Sequence, residues 1–408
     1  MIEFLAASKA SWMRSIELFT GAGGLALGLQ RAGFESVLMV EWDDDAFETV
    51  KANAASDGPT HGWPIHHGDV RDMNFTDFRE IDLVAGGPPC QPFSIGGKHG
   101  GFNDPRDMWP QAVRAVRELS PKAFLFENVG GLARPAFAAY LNYIVERLRR
   151  PSLACKPGET WHEHLERLTH LSIGKFEGPT YRVEVHKVNA AGYGAPQKRH
   201  RLIVVGLRTD LSIEWKFPRV THSRETLIWE QHVTGSYWRR HKIPFGLQPT
   251  PSSVDLTVAD DLVSLLGAPK TTKAWLTVRD TIADLPDPHL FPNQKIANHR
   301  LQAGARSYVG HTGSVLDEPA KALKAGVHGV PGGENMVVRP DGSVRYFTVR
   351  EAARLQGFPD NFVFPGSWTE SMRQLGNAVP VPLAMTVASS LAKALQSTKR
   401  TSNERRAA

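Results

Sequence analysis

Cys90 is the residue with the sharpest chemical potential in the chain, in the run Ala85-Gly86-Gly87-Pro88-Pro89-Cys90-Gln91-Pro92-Phe93-Ser94. An apolar strand leads into it, and the flanking prolines stiffen the turn that carries the thiol. A free thiol titrates near 8.5, so only a few per cent is nucleophilic thiolate at neutral pH unless cations lower that value. Arg199 and Arg201, in Gln197-Lys198-Arg199-His200-Arg201, precede the apolar stretch Leu202 to Val205 and can supply that charge if both segments end at one sheet edge. Glu127, in Glu127-Asn128-Val129, closes another apolar strand, where burial can raise a carboxyl's pKa and let it act as an acid towards a ring nitrogen. The chemistry these three types allow is nucleophilic addition by a thiolate with acid assistance. The other cysteine, Cys155, has no motif around it and reads as an inert, partly buried thiol. Two cysteines are too few for a disulfide framework or a four-thiolate zinc site, and no metal is expected.

A second group of residues fits a nucleoside. Phe19-Thr20-Gly21-Ala22-Gly23-Gly24 follows the first apolar strand and also reads as G-x-G-x-x-A through Ala26. Glycine there lets the backbone turn sharply and approach a ligand at the carboxyl end of a parallel strand. Glu41 ends the second strand, where an acid accepts hydrogen bonds from both ribose hydroxyls, and Trp42 beside it can stack on adenine. Asp69 and Val70, after the third strand, can meet an exocyclic amine. These features serve NAD or S-adenosylmethionine equally, so an NAD-linked oxidoreductase stands as an alternative at this point.

The elements that must hold these residues alternate. Ile16 to Phe19, Val37 to Val40, Ile81 to Ala85, Ala123 to Phe126, Tyr181 to Val188 and Arg201 to Gly206 are short apolar runs, with helix-like stretches such as Leu25 to Ala32 and Asp43 to Ala52 between some of them. Continuous apolar strands separated by helices predict an α/β fold with a doubly wound, mostly parallel sheet covered on both faces. From about Phe217 to Arg345 the pattern breaks into short segments rich in Pro, Thr, His and Trp, which predicts a smaller, irregular inserted domain. Helical signals resume at Thr348, an N-cap with Glu351 three residues on, and a last helix follows from Pro382 to Leu395. The expected organisation is a discontinuous domain of 1–216 plus 346–396, an insert of 217–345, and a basic flexible tail of 397–408.

Across 408 residues the composition is that of a soluble globular protein, 41% apolar and 22% charged, which excludes disordered and fibrous classes. No apolar run approaches the roughly 18 residues of a membrane span and no signal-peptide pattern opens the chain, so a cytoplasmic location and no membrane partner are expected. Lys plus Arg exceed Asp plus Glu, 48 against 42, an excess that permits a polyanionic partner without requiring one.

Six segments, in order and at similar spacing, resemble the motif series of the DNA (cytosine-5) methyltransferases of bacterial restriction-modification systems. They are Phe19-x-Gly21-x-Gly23-Gly24, Pro88-Pro89-Cys90-Gln91, Glu127-Asn128-Val129, Gln197 to Arg201, Thr348 to Glu351 with Arg354 to Pro359, and Gln374-Leu375-Gly376-Asn377-Ala378-Val379-Pro380. The resemblance covers nearly the whole chain except the variable part and the two ends. It implies the class I S-adenosylmethionine-dependent methyltransferase fold, with S-adenosylmethionine as methyl donor. Phe19, Gly21, Gly23 and Gly24 would lie near its amino-acid end, Glu41 on the ribose, Trp42 on the adenine face, and Asp69 and Val70 on the adenine edge, with Pro88 and Asn377 completing the pocket. Cys90 would be the nucleophile towards cytosine C6, Glu127 would hold N3 and the 4-amino group, and Arg201, with Arg199, would serve O2 and the thiolate.

The base would be flipped out of duplex DNA, with the loop from Gln91 to about Trp109 as a lid carrying Lys98, His99 and Arg106 to phosphates. The region before Thr348 would be the target recognition domain. Tyr237 to Lys242, Gly310 to Ser314 and Val327 to Asn335 look suited to a groove. Double-stranded DNA is the implied partner, a monomer the expected state, and a cognate restriction endonuclease a companion consistent with the resemblance, as is association with the nucleoid. A branch of the same fold that methylates RNA is the second alternative, and the long variable region favours duplex DNA over it. The insertion Lys156 to Gly178 matches nothing in the family pattern, and His162 and His164 do not make a metal site.

Overall fold

The apolar runs are strands, and they assemble at the edge-to-edge order a doubly wound sheet requires. The computed structural model describes residues 12–407 apart from 56, 90–106, 171–176, 270, 293–294 and 327–334, so Cys90, Lys98, His99 and Arg106 lie outside the described residues. Strands β1 (Met13–Leu18), β2 (Phe34–Glu41), β3 (Ile65–His67), β4 (Leu83–Gly86), β5 (Ala123–Val129), β6 (Tyr181–Asn189) and β7 (His200–Arg208) form one seven-stranded sheet in the order β3-β2-β1-β4-β5-β7-β6. Pairs from β3 to β5 are parallel, while β7 runs antiparallel to β5, with Glu127 opposite Ile203 and Val129 opposite Arg201. The strand order reverses beside β1, so the crevice at the carboxyl ends of β1 and β4 is the place where such sheets take ligands.

Two compact units divide the chain. The first comprises Met1–Val188, His200–Phe217 and Ala384–Ala408. It holds the sheet and helices α1 (Gly24–Arg31), α2 (Asp44–Ala52), α3 (Trp109–Leu119), α4 (Ala138–Arg149) and α5 (Trp161–His170). Its core joins Ile16, Leu18, Val84, Phe124 and Phe126 of the strands to Trp109, Val113 and Val116 of α3 and to Ile144 and Leu148 of α4. These strands are buried on both faces, which is why they read as unbroken apolar runs.

The second unit comprises Asn189–Arg199 and Pro218–Leu383. It contains the short helices α6 (Arg224–Ile228), α7 (Ser236–Arg240), α8 (Ser253–Asp261) and α9 (Val278–Ile282), the hairpin of β8 (Met336–Val338) and β9 (Val344–Tyr346), and helices α10 (Val349–Leu355) and α11 (Trp368–Asn377). The Thr348 hydroxyl and Glu351 carboxylate form the expected capping box at α10. This division differs from the one expected from the sequence, which kept 346–396 with the sheet. A buried polar hub explains the difference. Gln197 Nε2 donates to Leu355 O and Gln356 Oε1, both at 3.0 Å, Leu323 N donates to Gln197 Oε1 at 3.2 Å, and Gln356 Nε2 donates to Leu375 O. These bonds gather 197–199 and 346–383 into the irregular unit.

Helix α12 (Val381–Ala407) begins in the second unit, enters the first at Ala384, and carries on to the basic end of the chain as helix, where a separate tail was expected. Within Trp368–Ser397 one 18-residue window is apolar enough by composition to cross a membrane, but 61% of that window is buried inside the protein, as in a core helix.

Candidate active site

The glycine turn after β1 is built from backbone conformations that side chains resist. Phe19 has φ +59°, Gly21 φ +55° and Gly23 φ +87°. A bulky residue such as Phe19 in the left-handed region is strained, and such strain persists where the surroundings over-determine it. Here Thr20 N donates to Val40 O at 3.2 Å and Gly23 N to Thr20 O at 3.0 Å, fixing the turn on both sides. Gly23 is the N-cap of α1 and Gly24 its first residue, a helix end whose dipole favours a negatively charged group. A side chain at Gly23 would also strike Trp63, whose ring would stand 2.5 Å from the added Cβ.

Glu41 ties this turn to the end of β2. Its Oε2 accepts from Gly21 N at 2.6 Å, and its Oε1 accepts from Asp43 N at 2.9 Å and Trp42 N at 3.1 Å. Burial raises its pKa, against these hydrogen bonds, which lower it. A carboxylate offers about four acceptor sites, so room remains for one further donor such as a ribose hydroxyl, fewer than the two the sequence suggested. Trp42 is 69% exposed, with its ring free to stack. Thr20 Oγ1 is buried without a partner among the described residues, and nothing lies within 4 Å of the space over Gly21. A helix end, an open turn, an orphaned hydroxyl and an acid with spare acceptor capacity fit the amino-acid and ribose parts of S-adenosylmethionine.

Asp69 sits at the end of β3 as expected, but its carboxylate is engaged. It accepts from Arg71 N at 2.8 Å and Arg71 Nε at 2.9 Å, and the side-chain bond from Arg71 holds its pKa low. Val70 is buried in the core beside it. Beneath the turn, Glu17 of β1 is 1% exposed with Oε2 unpartnered among the described residues, and burial pushes its pKa well above the usual glutamate value. Neither Glu17, Trp63 nor Thr20 was identifiable from sequence spacing, because an acid inside an apolar strand and an aromatic in a loop carry no motif.

At the adjoining strand ends the structure brings Glu127 and Arg201 together. Arg201 Nε lies 2.5 Å from Glu127 Oε1, with side chains only 12% and 9% exposed. Neither atom has a directed hydrogen bond among the described residues, so the contact is an ion pair of two desolvated charges. Burial lowers the guanidinium pKa and Glu127 opposes that shift. Register explains the meeting, since Glu127 lies opposite Ile203 and Arg201 opposite Val129, two rungs apart and therefore diagonal neighbours on one face of the β5–β7 ladder. A Cβ at Gly87 would lie 3.6 Å from Glu127 Oε2, and Asn128 Nδ2 donates to Pro88 O at 3.0 Å. The two residues before Pro89-Cys90 are therefore pinned beside the ion pair, although Cys90 itself lies outside the described residues. Asn128 was part of a recognised motif but had no role assigned from sequence.

Arg199 is placed differently from Arg201. It is 1% exposed in the second unit, where it donates to Leu323 O at 2.9 Å, to Ala378 O at 3.2 Å and to Gly376 O. Its charge serves the C-terminal carbonyls of α11, which flank Asn377.

Other expectations also shift. Tyr237 and Trp238, read as groove-facing, are 0% and 4% exposed and form the small core of the irregular unit with Leu227. Arg240 donates to Glu230 at 2.9 Å and His241 pairs with Asp280 at 2.8 Å. Ser314 is buried, and 327–334 lie outside the described residues. Cys155 is exposed rather than partly buried.

The chain matches the family model described as C-5 cytosine-specific DNA methylase over residues 13–152 and 161–393. Type II methyltransferase M.NgoMIV of Neisseria gonorrhoeae is 32% identical over 391 residues, covering 94% of this chain and 98% of that protein. Type II methyltransferase M.PspPI of Psychrobacter sp. (strain TA137) is 32% identical, covering 93% of this chain and 79% of that protein. Among solved structures, Dnmt2 methyltransferase of S. pombe superposes with a TM-score of 0.54 at 18% identity over 93% of this chain and 98% of that one. An E. coli prophage protein described as a DNA modification methyltransferase gives 0.58 at 24%, covering 94% and 99%. At these identities the structural likenesses speak for the fold alone, which is that of the class I S-adenosylmethionine-dependent methyltransferases. The family match and the curated relatives, taken with the motif order, carry the rest: the chain belongs to the C-5 cytosine-specific DNA methylases and is a DNA cytosine-5 methyltransferase.

Proposed function

We propose that the protein transfers the methyl group of S-adenosylmethionine to C5 of a cytosine flipped out of a specific duplex DNA site, through a covalent bond between Cys90 and C6. The observation that carries this reading is the buried Glu127–Arg201 pair, held against Gly87 and Pro88 immediately upstream of Cys90.

Cytosine C5 is a weak nucleophile. Addition of the Cys90 thiolate to C6 makes C5 enamine-like, with charge developing on the ring. Glu127 hydrogen-bonds N3 and the 4-amino group, which favours that addition. Arg201 orients Glu127 and offers a cation towards O2 and the thiolate. Bound S-adenosylmethionine supplies the methyl group that C5 takes up. Removal of the C5 proton by a base and elimination of the Cys90 thiolate then restore the aromatic ring, leaving 5-methylcytosine and S-adenosylhomocysteine. Phe19 to Gly24, Glu41 and Trp42 form the cofactor pocket in this reading. Asp69 and Val70 border the adenine edge, with the Asp69 carboxylate shared with Arg71.

A base edge is inaccessible in a stacked duplex, so the reaction requires flipping at a cost of a few kcal/mol. Residues 217–345 supply target recognition. The curated relatives are named type II methyltransferases, which supports a role in protecting a specific site inside a bacterial cell from a companion nuclease. Bisulfite sequencing of a plasmid from cells expressing the protein tests the reading. It predicts protected cytosines at one recurring site, absent with Cys90→Ser. Uniformly converted DNA from cells with soluble wild-type protein would refute it.

A further inference from the structure

The segment that starts at Cys90 re-enters the described fold at Asp107, and the structure invests heavily in that point. Asp107 is 8% exposed. Its Oδ1 accepts from Trp109 N at 3.1 Å, at the amino end of α3, where a negative charge meets the helix dipole. Its Oδ2 accepts from the Tyr140 hydroxyl of α4, and Tyr140 is 7% exposed. Burial and the neighbouring Asp107 charge both raise the phenol pKa, so Tyr140 stays a donor. Trp109, two residues on from Asp107, packs edge-on against Phe126 at 5.8 Å, next to Glu127 in β5. At the other end of the same segment Asn128 holds Pro88 O.

Tyr140 is braced from outside by α5, which begins where the family match resumes at residue 161; the insertion expected over 156–178 is thereby cut back to the short gap between residues 152 and 161. Trp161 of α5 stands edge-on to Tyr140 at 6.0 Å and meets Tyr143 at 5.6 Å. His164 is fully buried, with Nδ1 2.9 Å from the Tyr143 hydroxyl and Nε2 3.0 Å from Leu153 O. An Arg167–Glu159 ion pair at 2.7 Å, with Arg167 also donating to Ala154 O at 2.8 Å, closes the loop between the helices. The aromatic cluster therefore fixes the Tyr140 ring, and the Tyr140 hydroxyl fixes Asp107.

We propose that Tyr140 and Trp161 are positioning residues for catalysis, with the α4–α5 cluster acting as a brace that sets where the Cys90-bearing segment rejoins the fold. This inference rests on the reading of Cys90 as nucleophile. It gives α5 a task in the reaction, since displacement of a reacting group by about an ångström can cost a hundredfold in rate. Tyr140→Phe removes one hydroxyl and keeps the ring, while Trp161→Ala removes the brace and Trp161→Phe restores much of it.

The test compares these full-length variants with wild type in tritiated methyl transfer to plasmid DNA, in calorimetric binding of S-adenosylhomocysteine, and in thermal midpoint. Tyr140→Phe and Trp161→Ala are expected to lower kcat by about tenfold to a hundredfold. Cofactor affinity should stay within about twofold, and Trp161→Phe should recover most of the rate. A kcat within about twofold of wild type for Tyr140→Phe would overturn the proposal, as would loss of cofactor affinity in step with turnover, which marks general loosening. Cys90→Ser is the control for the underlying reading: turnover by that variant would refute the nucleophile itself, whereas an inert Cys90→Ser beside a fully active Tyr140→Phe would refute only the brace.

Discussion

Replacing Arg201 by Met leaves the Glu127 carboxylate buried with no opposite charge. The two side chains are 12% and 9% exposed and 2.5 Å apart, so solvent cannot take over the role of the lost partner. Breaking a buried pair in this way costs about 3 to 5 kcal/mol, whereas replacing both partners by neutral groups of similar size is often close to neutral. For a unit of roughly 200 residues, each kcal/mol moves the thermal midpoint by about 2 to 4 °C. Arg201→Met should therefore lower the midpoint by at least about 6 °C, and Glu127→Gln combined with Arg201→Met should recover more than half of that loss. Differential scanning fluorimetry of the wild type, both single variants and the double variant, with no cofactor present, gives the coupling directly. A fall of less than about 2 °C for Arg201→Met would mean a solvent-screened pair worth no more than a surface salt bridge. Additive losses in the double variant would also refute the buried-pair account.

Three other outcomes follow from the same structure. Glu127→Gln should cut turnover by more than about tenfold, or 1.4 kcal/mol of transition-state stabilisation, in steady-state methyl transfer while DNA affinity changes little. Burial raises the Glu17 pKa, so its neutral form is favoured in the folded state; stability is fully present below the ordinary glutamate range and falls as pH rises through the raised value. Glu17→Gln should flatten that decline in thermal midpoints between about pH 5 and pH 9, and an unchanged slope would exclude Glu17 as its source. Exchange of residues 217–345 for those of a relative with another target should move methylation to the new site, and loss of a single phosphate-contacting Lys or Arg there should reduce the salt slope of binding by about one; bisulfite sequencing and salt titrations read both.

Most of the sheet was legible because strands buried on both faces, such as β4, β5 and β7, appear as apolar runs, whereas β6 at the sheet edge is mixed and only partly buried; each expected run still falls in a strand of the structure. Thr348 with Glu351 was legible for a similarly local reason, since a capping box needs only residues three apart. Glu127 and Arg201 were recognisable as separate motifs, but their pairing depends on the antiparallel register of β5 and β7, which the letters do not contain. Arg199 and Arg201 stand two residues apart in one motif yet fall in different compact units, one bonded to carbonyls and one to a carboxylate. Tyr237 and Trp238 look like groove contacts in a row of letters. They are core because an irregular unit without periodic apolar strands must build its interior from isolated large rings. The strained φ of Phe19 and the left-handed turn around it left no trace beyond the glycines.

The central claim is that Cys90 attacks cytosine C6 while Glu127 and Arg201 steady the ring. Duplex DNA containing 5-fluorocytosine at the site found by bisulfite mapping tests it most directly, because fluorine at C5 cannot leave as a proton and elimination of the thiolate is blocked. The account predicts a protein–DNA adduct that survives denaturing electrophoresis, requires S-adenosylmethionine, and is absent with Cys90→Ser. Intact DNA binding with no adduct in the presence of cofactor, or an adduct that persists in Cys90→Ser, would contradict it.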